Sequence, residues 1–100
     1  MPAPLKLHNK LLEILSHVYF QPPSGVRMLY PCIVYSKKPA QIEYANDNHY
    51  KKDDEYQVTV LDMEPDSAYA YTILEKFRYS SITSYFVMNN VNHTNIKLYF

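Results

Sequence analysis

Hydrophobic and polar positions change period several times along the chain, and each change marks an element. In residues 5–20, LKLHNKLLEILSHVYF, Leu7, Leu11, Ile14, Leu15 and Val18 recur at helical spacing, while Lys6, Lys10, Glu13 and His17 fall on other faces. An amphipathic helix is predicted over 5–20. It begins after Pro2 and Pro4, which the interior of a helix excludes, and ends at QPPSG, 21–25. Residues 28–36, MLYPCIVYS, are apolar, aromatic and β-branched, as a strand requires. Pro31 has no amide hydrogen, so this strand lies at an edge or pairs only after Pro31. The next region predicts a long hairpin with residues 41–44 as one arm and 56–63 as the other. Tyr56, Val58 and Val60 share a face opposite Gln57 and Thr59. The polar connection ANDNHYKKDDE exceeds an ordinary hairpin loop of about two to five residues, and long exposed loops often carry function.

EPDSAYAYTILEKF predicts a second helix. Asp66 or Ser67 is placed to accept hydrogen bonds from the first-turn amides, and Ala70, Ile73, Leu74 and Phe77 follow at helical spacing. YSSITSYFVMNN supplies a strand whose serines and threonine dilute its core character. In HTNIKLYF, Ile96, Leu98 and Phe100 point one way and Asn95, Lys97 and Tyr99 the other. The fold class is therefore α+β: a single two-layer domain over 1–100, with a mostly antiparallel sheet of about four or five strands, two helices on one face and a long hairpin. The final strand pairs inside the sheet, where burial of Phe100 contributes roughly 1.5–3 kcal/mol.

Composition narrows what this domain does. Lys+Arg and Asp+Glu number ten each, so no basic excess draws the chain to phosphates or a membrane surface. Single-strand nucleic-acid binders pair stacking aromatics with a positive groove; the aromatics are here and the groove is not. Cys32 is the only cysteine, which excludes an internal disulfide and reads as a small buried hydrophobe in a reducing compartment. No apolar run approaches the roughly 18 residues that span a bilayer, and the opening residues lack signal-peptide order, so a soluble, intracellular product is expected. His8, His17, His49 and His93 fit no compact metal spacing; His8 and His17 lie on nearly opposite faces of the expected helix. His93 is expected to make a structural hydrogen bond at the entry to the last strand. The run Asp53, Asp54, Glu55 follows Lys51 and Lys52 and reads as a solvated loop tip. One glycine leaves no phosphate cradle, and no nucleophile motif is present, so neither enzymatic activity nor a cofactor is expected. Eleven tyrosines are the outlier. They serve strand faces or protein interfaces, since the side chain combines a large apolar area with a polar tip.

A family resemblance emerges from five segments in order: PCIVY at 31–35, YANDNHY at 44–50, YQVTVLD at 56–62, EPDS at 64–67, and NVNHTNIKLYF at 90–100. Together they resemble the small tail-terminator or tail-completion proteins of tailed bacteriophages. The serine-rich KFRYSSITSYF and Asn89, where an acidic residue is expected, depart from that pattern. The resemblance implies a structural virion protein made in the host cytoplasm. It implies a ring, commonly homo-hexameric, on the last ring of tail-tube protein, stopping tube polymerisation and facing the head-side connector or stopper. DNA passes through the bore without specific binding, for which a surface without basic excess is suited. Head-completion, stopper or neck proteins of the same joint, and a soluble protein-binding adaptor outside any virion, stand as alternatives. The family supplies no catalytic residues. A closed ring needs an interface between unlike surfaces. The hairpin from 37 to 56 is the expected arm, with Lys37, Lys38, Tyr44, Asn46, Asp47, Asn48, His49, Tyr50, Lys51, Lys52, Asp53 and Asp54, joined by Tyr99, as subunit or tube contacts.

Overall fold

The computed structural model describes residues 4–38 and 54–100. Within them the order is α1 (Leu5–Leu12), β1 (Val18–Phe20), β2 (Cys32–Lys37), β3 (Glu55–Asp62), α2 (Ala68–Lys76), β4 (Ser80–Met88) and β5 (Val91–Tyr99). The strands form one sheet in the order β1-β2-β3-β5-β4, with β1 parallel to β2 and every other pair antiparallel. This is the expected two-layer α+β domain. Its main core packs Leu7 and Leu11 of α1, and Ala70 and Ile73 of α2, against Ile33, Tyr35, Val58, Val60, Ile96 and Leu98 of the sheet. Both helices therefore cover the same face. Lys76 Nζ lies 2.9 Å from Glu13 Oε1, linking the ends of the two helices and holding the Glu13 carboxyl below its ordinary range.

The first helix is much shorter than its periodicity implies. It stops at Leu12, and the amides of Ile14 and Leu15 both donate to the Leu11 carbonyl, closing the last turn. Val18, Tyr19 and Phe20 then form β1, held to β2 by the Ile33 amide on the His17 carbonyl and the Gln21 amide on the Tyr35 carbonyl, each at 2.9 Å. Leu15, Ile14 and Val18 still pack into the main core from outside the helix. Shared burial thus imitates a continued helical stripe, and the β-branched and aromatic run settles into the sheet. His17 lies outside the helix, so its helical relation to His8 does not hold.

β2 begins directly after Pro31, which follows a cis peptide bond with Tyr30. The hairpin partner of β3 is β2, with Lys37 opposite Tyr56, and the other edge of β3 is taken by β5. The expected arm at 41–44 falls outside the described residues. Ser67 occupies the N-cap position of α2, but neither it nor Asp66 makes a side-chain cap bond. β4 and β5 are joined by Asn89 and Asn90, both at positive φ (52° and 65°), a conformation asparagine tolerates and tight hairpin turns require. The last strand starts at Val91, earlier than expected, because the turn is that short.

β5 lies inside the sheet between β3 and β4, and Phe100 is half-buried against Phe77 with ring centroids 6.0 Å apart. Its amide and carbonyl both bond to Asp54, at 3.0 and 3.1 Å. Tyr35 locks the two layers together: its hydroxyl and His8 Nδ1 share a hydrogen bond of 2.8 Å, and its ring tilts against Phe20.

Candidate assembly surface

Four of the expected contact residues lie where the long connection leaves and re-enters the sheet. Lys37 Nζ stands 3.3 Å from Asp54 Oδ2, and Lys38 Nζ stands 3.5 Å from Glu55 Oε2. Glu55 faces Tyr99 across the β3–β5 pair, and the Tyr99 hydroxyl donates to Glu55 Oε1 at the long distance of 3.5 Å. Lys37, Lys38, Asp54 and Tyr99 therefore form one polar rim, with the two lysines paired at the surface. Such pairs contribute little, about 0–1 kcal/mol each. Tyr44, Asn46, Asp47, Asn48, His49, Tyr50, Lys51, Lys52 and Asp53 lie outside the described residues.

The feature that sequence reasoning passed over is β4. This nine-residue strand forms the outer edge of the sheet, and all of it beyond Ser80 is exposed. Val87 is 57% exposed, Met88 55% and Tyr85 48%, with Ile82 and Phe86 also open to solvent. From 79 to 96 the chain carries no Lys, Arg, Asp or Glu. Edge strands of lone domains are normally blunted by lysine, proline or brevity. β4 has only a bulge, between Ile82 and Ser84, where Thr83 Oγ1 donates to the Asn95 carbonyl at 3.2 Å. The sequence signal was available: an uncharged strand of apolar residues and serines suits an interface that must also tolerate water.

The strand is held firmly from the inside. Phe86 stacks on His93 at 4.5 Å, and His93 Nδ1–H donates to the Val91 carbonyl at 3.0 Å, the structural bond expected of that histidine. Tyr85 donates to Asn92 Oδ1, and Asn92 Nδ2–H in turn donates to the Asp62 carbonyl at 3.2 Å. On the face away from the helices, Thr59 donates to Asn95 Oδ1 at 2.6 Å and Asn95 Nδ2–H to Ser84 Oγ at 2.9 Å. These bonds tie β3, β5 and β4 together across the sheet.

The tyrosines divide between both expected uses. Tyr35 and Tyr56 are core residues, whereas Tyr71, Tyr79 and Tyr85 surround the β4 edge and Tyr30 is exposed near β1. Burial pushes the Tyr35 phenol up to about 12 and the Cys32 thiol up to about 11, so both stay protonated at neutral pH. A thiol in that state is a poor nucleophile. Among the described residues no three His, Cys, Asp or Glu side chains are grouped to hold a metal, and no helix is long and apolar enough to cross a membrane.

No protein-family model, no curated protein and no solved structure matches the chain.

Proposed function

We propose that the chain is a structural assembly subunit that joins other copies through the β4 edge. The observation that carries this reading is the length, exposure and lack of charge of that edge. An unpaired strand offers a row of free N–H and C=O groups, and an apolar surface around it favours association over solvation. A second exposed apolar segment, containing Val26, Leu29 and Tyr30, lies between β1 and β2 at the other end of the strand order. Two unlike sticky surfaces on one subunit favour head-to-tail contacts, which close into rings when the rotation permits.

Together with the resemblance to phage tail terminators, this points to a ring, six-fold by that resemblance, that caps the last tail-tube ring and meets the head-side connector. The polar rim of Lys37, Lys38, Asp54 and Tyr99 then lies at the root of the arm that reaches the tube or a neighbour. The chain's equal numbers of acidic and basic residues suit a bore through which DNA slides.

The biological test is electron microscopy of lysates from a phage carrying a stop codon in this gene. Overlong tails beside DNA-filled heads are expected. Normal-length unattached tails would move the protein to the head-completion layer, and intact virions would contradict a virion role.

A further inference from the structure

Between the start of α2 and β4 lies an open cleft of about 270 Å³, walled by Pro65, Ala70, Ile82 and Tyr85 with Ser67 and Asp66 at its polar end. Ligand pockets for drug-sized molecules run from about 300 to 1,000 Å³, so this one suits a single side chain better than a metabolite. Ser67 is only 4% exposed, and its Oγ has no hydrogen-bond partner among the described residues. A buried hydroxyl left this way is uncommon and calls for a partner from elsewhere. The first-turn amides of α2 also lack a side-chain cap. Asp66, exposed at the rim, opposes an anion in the cleft. The occupant therefore has an apolar body, a neutral polar tip and a cation nearby.

This chain carries such a group on its other exposed apolar surface. Tyr30 is 43% exposed, Leu29 beside it 56%, and Arg27 is exposed three positions earlier. Among the described residues neither Arg27 nor Asp66 belongs to an ion pair. We propose that the cleft between α2 and β4 receives Tyr30 of a second copy, whose hydroxyl partners Ser67 while Arg27 pairs with Asp66. The inference rests on the head-to-tail reading above and names its contact. The tyrosine supplies area with a hydroxyl able to accept from Ser67, and the charge pair sets which way round the two surfaces meet.

The test is sedimentation of the full chain over a concentration series, with Arg27→Glu, Asp66→Arg, the double swap and Tyr30→Ala. Each charge reversal should weaken association at least tenfold, the double swap should restore it to within about threefold, and Tyr30→Ala should weaken it more than either reversal. Mixing the two single-reversal variants should restore association with the two alternating, because every contact between unlike copies then joins opposite charges. These three positions are exposed, and circular dichroism verifies that each variant folds. If the wild type assembles and the reversals and Tyr30→Ala leave it unchanged, this contact is wrong while the assembly reading stands. A wild type that stays monomeric at all concentrations overturns both.

Discussion

Placing lysine at both Ile82 and Val87 is expected to leave a folded protein that no longer assembles. Both side chains are exposed on β4, at 41% and 57%. Changes of residue type on an exposed strand cost within about 1 kcal/mol, so the melting transition should shift by only a few degrees. Assembly is different, because an added strand or packed neighbour would have to dehydrate two ammonium groups. An unpaired charge buried in this way costs several kcal/mol. A loss of about 3 kcal/mol already weakens association more than 100-fold, since each 1.4 kcal/mol is tenfold. Native mass spectrometry of the variant should therefore show monomers where the wild type shows a multi-copy species. Wild-type assembly by the doubly substituted chain would remove β4 from the interface.

The largest loss of stability is expected at Ile96. It is fully buried in the interior strand β5, opposite Val58 of β3 on one side and Ile82 of β4 on the other, and it sits in the core shared by both helices. Ile96→Ala removes three buried carbons from a position walled by strands on both sides, where collapse of the surroundings is limited. The cost should be about 3–4 kcal/mol, within the range of such truncations. For a domain of this size that lowers the melting temperature by about 15–25 °C. Lys97→Ala, next in the chain and exposed on the other face, should change stability by no more than about 0.5 kcal/mol. Thermal unfolding followed by circular dichroism measures both. Similar small losses at the two positions would mean that the assigned face of β5 is wrong.

Alternation made the central sheet legible. The faces of Tyr56, Val58 and Val60, and of Ile96 and Leu98, were readable because a period of two leaves no choice once one face is apolar. Pro31 likewise marked the start of β2. The first helix misled because Leu15 and Val18 enter the same core by another route, and one apolar periodicity cannot distinguish a continued helix from a turn followed by a strand. Partner choice was also beyond local pattern. The sequence placed 56–63 against its near neighbour 41–44, whereas the sheet pairs β3 with β2 and with β5 from the far end of the chain. The Asn89–Asn90 turn was missed, because both asparagines were read as the end of the strand, although asparagine is suited to positive φ.

The candidate site was legible only in part. Mixed charge drew attention to the long connection, and its described roots, Lys37, Lys38 and Asp54, lie beside Tyr99 of β5. The β4 edge went unnoticed because its serines read as dilution of a core strand. Their meaning changes once the strand is seen to have no outer neighbour among the described residues: Ser81, Thr83 and Ser84 then lie on an exposed edge beside Ile82 and Tyr85. The cleft beside Ser67 needed the structure altogether, since nothing in the chain order brings Pro65, Ile82 and Tyr85 to one place.

The central claim is that this chain builds an assembly from copies of itself, and native mass spectrometry of the purified full-length protein tests it most directly. A single dominant species of several copies, six by the family resemblance, is the expected result, dissociating on dilution without intermediates of indefinite length. A monomer that persists into the high-micromolar range would contradict the claim and leave β4 as an edge for some other polypeptide.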